Sequence, residues 1–566
     1  MGEKISMSSN NTNLEWWKKT VVYQVYPRSF YDSNGDGIGD LHGIIQKLDY
    51  LKYLGVETIW FSPFTKSPQK DFGYDVSDFT DIDPAYGDMK TCDQLIDEVH
   101  KRDMKIVLDL VLNHTSDQHP WFIESRSSCD NPKRDWYIWR DGRGRKPPNN
   151  WMAQIGGSGW HYDKKTDQWY WAQFLPFQPD LNYRNSEVKE TMLDVVRFWL
   201  KKKADGFRLD IINAVYEDLQ FRNNPWSIKW LPSDTDTARF FRKSTYTLDH
   251  PDTLEFVKEL RSVIDEFDDP PRFLVGEVFS NMETMKKYCG DKADGLNTVF
   301  LFKSIRTPHN AKKFKKLIET YEKYFPEPYA PTWVFANHDR MRRITRLKNN
   351  LEKAKLHAAF QLTVRGVPYI YYGEEIGMES PRLKIRDSLD EMGLKYKWIP
   401  QVVFDLIRVV GTESFNRDEQ RTPMQWDSTE NAGFCHQGVK PWRPIPESYL
   451  ERNVEVQLKD SDSLLNCYKC FLKARQETPA LNSGDIQLLN LENVSKDVLS
   501  FIRSTRVNGG LQKAFVFLNF GNKKTSFGAP VKNGEILVST HNNGNILKDE
   551  IVVLQGQQGV VMVENS

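Results

Sequence analysis

Several short apolar runs of this chain end on ionisable side chains. Gly206-Phe207-Arg208-Leu209-Asp210 closes on an arginine and an aspartate, and Phe273-Leu274-Val275-Gly276-Glu277 closes on a glutamate. Residues 332–339 end in Asn337-His338-Asp339, and the run 105–112 leads straight into Asn113-His114. Two carboxylates facing one another across a sugar can break a glycosidic bond, one attacking the anomeric carbon while the other protonates the leaving oxygen. Arg208 stands two residues before Asp210, on the same face of an extended strand, where its fixed charge keeps Asp210 ionised as a nucleophile requires. Glu277 follows an apolar run that favours its protonated form, the state of a general acid. Asp339 adds a third carboxylate, and His338 and His114 are donors for sugar hydroxyls. A lone strand-end carboxylate is more often the N-cap of the next helix. Four such endings in chain order argue for a site.

The elements that must carry these groups are β-rich apolar runs at 21–26, 58–61, 106–112, 206–210, 273–277, 298–302, 333–337 and 369–372. Between them lie amphipathic stretches such as 41–54, 92–102, 188–202, 254–267 and 311–324, with apolar residues three and four apart. Eight strand–helix units predict an α/β fold, a (β/α)8 barrel of the TIM type, with a doubly wound open sheet as the other arrangement. In such a barrel the loops after the strands form the active face. The connection after the third strand, 115–185, is too long for an ordinary loop and reads as an inserted subdomain over the site. A second insertion, 380–451, follows the last barrel strand. The expected domains are a polar N-terminal tail (1–14), the barrel (15–114 and 186–480), and a C-terminal all-β sandwich (481–566), where short alternating runs meet Asn-Gly turns.

Charge excludes some partners. Lys+Arg and Asp+Glu both number 77, so no electrostatic footprint for nucleic acid or an anionic membrane exists. No apolar run is long enough to span a bilayer, and the first residues lack the apolar core of a signal peptide. Six scattered cysteines without zinc-type spacing fit reduced thiols in a cytoplasmic protein, a monomer or weak homo-oligomer.

The segments 109–114, 206–210, 276–278 and 337–339 resemble the four signature segments of glycoside hydrolase family 13, the α-amylase family. Gln178-Pro179-Asp180-Leu181-Asn182 resembles a fifth, which marks its oligo-1,6-glucosidase and neopullulanase branches. Tyr23–Pro27, Gly73–Phe79, Gly373–Met378 and Arg421–Trp426 are similar to further family segments, so the likeness runs from about 16 to 481. It implies a retaining α-glucosidase on short substrates (isomaltose and isomalto-oligosaccharides, sucrose or maltose), with Asp210 as nucleophile, Glu277 as acid/base and Asp339 as transition-state stabiliser. It implies that His114, His338, Arg208 and Asp75 grip the glucose and that Tyr74 stacks under its ring. Arg417 matches an arginine that borders the second sugar site in relatives.

In Asp32-Ser33-Asn34-Gly35-Asp36-Gly37-Ile38-Gly39-Asp40, oxygen side chains alternate as in an EF-hand without its distal glutamate; spacing alone equally allows an acidic turn before a helix. The resemblance implies a structural calcium ion (Ca2+) held by Asp32, Asn34, Asp36, the Ile38 carbonyl and Asp40, and no organic cofactor. Phe72, Trp121, Trp136, Trp160 and Phe177 are candidate sugar platforms, although each singly is more often a packing residue. Two departures bear on specificity. Ile211 follows the nucleophile, where a branched residue favours isomaltose-like substrates, and Arg340 stands where the common pattern has glutamine, beside the aglycone. Two other readings keep the fold: a glucosyl-transferring enzyme such as a sucrose isomerase or trehalose synthase, and a non-catalytic domain like that of transporter heavy chains, which tends to lack the carboxylates.

Overall fold

The computed structural model describes residues 15–229, 236–410, 416–492, 494–531, 534–541, 546–548 and 550–565; the 1–14 tail lies outside them. Eight parallel strands form one sheet: β1 (Val22–Val25), β2 (Thr58–Phe61), β3 (Lys105–Leu110), β4 (Gly206–Leu209), β5 (Phe273–Gly276), β6 (Thr298–Val299), β7 (Thr332–Val334) and β8 (Val367–Tyr371). Their spatial order is β6-β5-β4-β3-β2-β1-β8-β7. The ring closes between β6 and β7 through threonine side chains. Leu301 N–H donates to Thr332 Oγ1 at 2.9 Å, Thr332 Oγ1 donates to the Val299 carbonyl at 2.9 Å, and Thr298 Oγ1 donates to the Ala330 carbonyl at 2.8 Å.

β1, β2, β4, β5 and β8 are buried at every position, which is why they read as unbroken apolar runs rather than alternating ones. Inside the barrel, Val22, Trp60, Val107, Phe273, Phe300 and Tyr369 pack together. Outside it lie α1 (Leu41–Leu54), α2 (Met89–Lys101), α3 (Ser186–Lys201), α4 (Pro251–Asp265), α5 (Ala311–Tyr324) and α6 (Leu351–Thr363). Side chains cap the helix starts: Asp40 accepts from Gly43 N–H, Asp88 from Thr91 N–H and Asn185 from Glu187 N–H.

The first insertion carries a three-stranded sheet of Trp139–Arg140, Trp160–Asp163 and Gln168–Trp171 over a core of Trp151, Trp160 and Trp171. The second reaches across to it: Tyr396 Oη and Lys395 Nζ donate to the Ile155 carbonyl at 3.1 and 3.0 Å. The described residues between 485 and 565 form a five-stranded and a three-stranded antiparallel sheet around Phe515, Phe517, Phe527, Val552 and Leu554. Arg503 docks them on the barrel by donating to the Thr363 carbonyl at the end of α6, 2.7 Å away.

Candidate active site

Adjacent strands set the carboxylates of Asp210 and Glu277 side by side. The Asp210 N–H bonds to the Leu110 carbonyl (3.1 Å), the Glu277 N–H to the Leu209 carbonyl (2.9 Å), and the Glu277 carbonyl accepts from Ile212 N–H (3.1 Å). Arg208, 1% exposed, lies between them. Its Nη1 donates to Asp210 at 2.6 Å and to Asp109 at 2.9 Å, and its Nη2 donates to Glu277. The arginine expected to serve Asp210 is therefore shared by three carboxylates. Sequence reasoning gives Asp109 no role of its own, although it opens the segment 109–114. Its signal was a lone acid in the apolar run 105–110, in register with Arg208 across the β3–β4 ladder.

Burial drives the Glu277 carboxyl well above its usual range; Arg208 opposes this, while the charges of Asp210, Asp339 and Asp109 add to it. The direction is the one a general acid needs. Asp109 is pushed by burial up to about 7, against Arg208.

Asp339 goes the other way. Burial resists its ionisation, but His338, Arg417, Arg421 and Arg340 outweigh that and hold it far below the carboxylate range. His338 is itself pushed down to about 3 by burial, so at neutral pH it lends no charge and the guanidiniums decide. Arg421 Nη2 lies 2.9 Å and Arg417 Nη1 3.1 Å from Asp339 Oδ1, and 26% of the Asp339 side chain faces solvent.

The histidines are donors. Gln24 Nε2 donates to His338 Nδ1 at 2.9 Å, which assigns the proton to Nε2, facing Tyr74 Oη at 2.9 Å and Asp339 at 3.2 Å. Tyr74 stacks on the His338 ring at 5.4 Å and donates to Asp109 at 3.1 Å. His114 is pushed down to about 4 by burial, with Nε2 3.1 Å from the Tyr74 carbonyl.

Asp75 is placed differently from its expected role. Its carboxylate accepts from Ser67 Oγ (2.8 Å) and from the N–H groups of Asp71 and Lys70 (3.0 Å each), so it ties a turn together. The acid of that loop that joins the ion pairs around Asp339 is Asp71, which accepts from Arg417 Nη2 at 2.8 Å and Gln178 Nε2 at 3.1 Å. Arg417 also reaches Asp390 at 2.6 Å, so this arginine is bound by three carboxylates. Arg340 follows Asp339 at the rim, with its N–H on the Asn337 carbonyl at 3.4 Å.

Most of the aromatic candidates are packing residues. Trp160 is 2% exposed in the tryptophan core, Trp121 and Trp136 pack on each other at 5.0 Å, and Phe72 lies between Arg28 and Trp442. Phe177 is half-buried under Lys70 Nζ, 5.0 Å from its ring. Phe174, which was not expected, lies against His114 at 5.2 Å. Ile211 sits in the left-handed region (φ 33°, ψ 53°), an uncommon place for a β-branched residue that costs on the order of 1–3 kcal/mol. It packs with Ala214, Leu248, Phe174 and Phe279.

In the 32–40 loop, Asp32 accepts from the N–H groups of Asn34, Gly35 and Gly37, and Asp36 accepts from Ile38 N–H. Asp40 accepts from Ser33 and caps α1 through Gly43. The donors are all oxygen, the type a hard cation takes. Among the described residues no three His, Cys, Asp or Glu side chains converge as a closed metal cluster.

Comparison with known proteins gives one consistent answer. The family description "Alpha amylase, catalytic domain" matches residues 24–484. The oligo-1,6-glucosidase of Parageobacillus thermoglucosidasius is 39% identical over 561 residues, covering 93% of this chain and 95% of that one. A probable alpha-glucosidase of Rhizobium meliloti (strain 1021) is 37% identical over 553 residues, covering 95% of each. The crystal structure of the trehalulose synthase MutB from Pseudomonas mesoacidophila MX-45 superposes with a TM-score of 0.85 at 32% identity, covering 97% of this chain and 99% of that one.

Proposed function

The chain belongs to the α-amylase family, and from that premise we propose that it is a retaining, exo-acting α-glucosidase cleaving terminal α-glucosidic bonds of short substrates. Isomaltose and isomalto-oligosaccharides lead, with sucrose and maltose beside them. The observation that carries this reading is the single Arg208 guanidinium bonded to both Asp210 and Glu277. Two carboxylates held on one fork support the short separation that a retaining mechanism needs.

Asp210 attacks the anomeric carbon as the glycosidic bond breaks, and Glu277 gives its proton to the leaving oxygen. The glucosyl group is then esterified to Asp210 and the aglycone departs with the proton. Glu277, now a carboxylate, takes a proton from water while the water oxygen attacks the same carbon and releases Asp210. Two inversions return the α-anomer. Asp339, held ionised by Arg417 and Arg421, stabilises the positive charge that develops on the sugar ring in each step. The Tyr396–Ile155 and Arg417–Asp71 contacts between insertions and barrel loops support a pocket over an open cleft.

The test is to incubate the protein with isomaltose, maltose, sucrose and trehalose, identify products by chromatography, and follow the anomer by NMR. Glucose appearing first as its α-anomer supports the reading, and β-glucose first, or no cleavage of any of the four, removes it. A second reading, glucosyl transfer to another sugar, draws on the likeness to trehalulose synthase and uses the same groups. A rearranged disaccharide as main product from sucrose would select it.

Two further assignments belong to this proposal. Calcium at Asp32, Asn34, Asp36, the Ile38 carbonyl and Asp40 rests on the all-oxygen donor set, and there it would tie the loop after β1 to the start of α1. A cytoplasmic location is supported by the six cysteines, all free thiols. No described helix is long and apolar enough to cross a membrane.

A further inference from the structure

We propose that Asp249 is a positioning residue for the acceptor side of this site: it clamps the loop after β4 to the loop after β5 and so sets Ile211 and Phe279 as a wall beside the departing sugar. The inference deepens the reading of Asp210 and Glu277 given above and rests on it.

The two loops run side by side outward from the reacting carboxylates. Ile212 N–H donates to the Glu277 carbonyl at 3.1 Å, and Asn213 Nδ2 reaches the Phe279 carbonyl at 3.4 Å. Asp249 stands across their ends. Its Oδ1 accepts from Asn213 Nδ2 at 3.0 Å, its N–H donates to the Asn213 carbonyl at 2.9 Å, and its Oδ2 accepts from Ser280 Oγ at 2.8 Å. Tyr288 Oη, at the end of the helix Met282–Tyr288, donates to Oδ1 at 3.0 Å. Burial pushes the Asp249 carboxyl up, while Ser280, Asn213, Tyr288 and the charge of Arg239 oppose this. Asn213, Ser280 and Tyr288 are all buried, so each donor would lose a partner that water does not readily replace if the carboxylate were removed.

Helix entry does not require this carboxylate. The cap of α4 is the next residue, His250, whose Nδ1 accepts from Asp252 N–H at 3.2 Å. What the clamp holds instead is the apolar cluster of Ile211, Ala214 and Leu248 with Phe174 and Phe279. Ile211 follows the nucleophile, Phe279 lies two residues past the acid, and Leu248 directly precedes Asp249. Glu277 gives its proton to the leaving oxygen, so the residues just beyond it flank the departing sugar rather than the glucose that stays. The direction in which that sugar leaves differs between α-1,4 and α-1,6 links, and a wall held by both loops discriminates between them.

The experiment measures kcat/KM for maltose and isomaltose, together with thermal unfolding, in the wild-type enzyme, Asp249→Ala, Asp249→Asn, Ile211→Ala and the double variant of Asp249→Ala with Ile211→Ala. Expected for Asp249→Ala is a ratio of maltose over isomaltose raised by about fivefold or more, because the wall loses its hold. Asp249→Asn should keep the wild-type ratio within about twofold, since the amide oxygen still accepts from Asn213 and Tyr288 while its NH2 donates to a rotated Ser280 hydroxyl. The double variant should exceed Ile211→Ala alone by less than about twofold, as two changes in one wall do not add. A folded Asp249→Ala that loses rate equally on both sugars overturns the proposal, and so do fully additive shifts or a ratio moved as far by Asp249→Asn. Should Asp249→Ala show no cooperative thermal transition, Ser280→Ala deletes the one bond from Asp249 to the strand-end side of the loop after β5. A ratio raised by about threefold in that variant supports the proposal, and an unmoved ratio contradicts it. Wild-type protein that cleaves neither sugar would remove the reading of the site and this inference together.

Discussion

Arg417 donates to Asp71 at 2.8 Å across 346 residues of sequence, and this bond ties the insertion after β8 to the loop after β2. The same guanidinium holds Asp339 at 3.1 Å and Asp390 at 2.6 Å. The insertion, the loop after β2 and Asp339, the carboxylate proposed to stabilise the transition state, are therefore one ion-pair network. Lysine cannot reproduce such a fork, so Arg417→Lys and Asp71→Asn should each raise KM by about tenfold or more. Steady-state kinetics on the preferred disaccharide checks this, and an unchanged KM would mean that the network does not shape the sugar site.

Glu277 must be protonated to act, and its pKa is raised, so activity should persist through neutral pH and fall as pH rises through that pKa. Glu277→Gln should lose about 10²–10⁴ in kcat on a disaccharide, with a smaller loss on an aryl glucoside whose leaving group needs no proton. The ratio of the two losses is the measurement. Equal losses would show that Glu277 does not protonate the leaving oxygen.

Ile211 combines a strained backbone with contacts to Phe174 and Phe279 at the exit from the nucleophile. Removing its branched side chain as Ile211→Ala should shift the ratio of kcat/KM for maltose over isomaltose upward, by about tenfold or more if the side chain contacts the second sugar. A ratio that stays constant would move the linkage determinant elsewhere, with Arg340 the next position to change.

Calcium in the 32–40 loop should add stability, because an ion that binds only the folded state raises the midpoint of unfolding. Chelation should lower Tm by several degrees and restored calcium should return it, as read by calorimetry together with metal analysis of the purified protein. No bound metal and an unmoved Tm would leave the loop as a turn closed by its own N–H groups.

Much of the scaffold was legible because parallel barrel strands are buried on both faces and so stand out as short apolar runs. The starts of α2, α3 and α4 were read two or three residues late, while those of α1 and α5 were read in place. Periodicity shows the first apolar residue, whereas the cap lies up to a turn earlier, as with Asp88 before Met89 and His250 before Pro251. The run 298–302 is a ladder only at Thr298–Val299, after which threonine hydroxyls take over closure of the ring. Asp210, Glu277 and Asp339, with the two histidines, were legible as strand endings, and the structure brings Asp210 and Glu277 onto Arg208.

The acid on the loop after β2 was not. Phe72 (φ 51°) and Gly73 (φ 103°) reverse the chain in succession, and a Cβ on Gly73 would meet the Pro63 carbonyl at 2.8 Å. The resemblance alone put Asp75 in the glucose grip, whereas this turn sets the Asp75 carboxylate into its own loop and brings Asp71 to Arg417. Asp109 was hidden for a different reason. Its pairing with Arg208 is visible only once the β3–β4 register sets the two residues opposite each other.

The central claim is that Asp210 is the nucleophile of a double displacement, with Glu277 as its acid partner. The most direct measurement is turnover of isomaltose, maltose and sucrose by Asp210→Asn, alongside its thermal unfolding. The account predicts an intact cooperative transition with kcat reduced by at least about 10⁴ on each sugar. Wild-type turnover by a folded Asp210→Asn would contradict it.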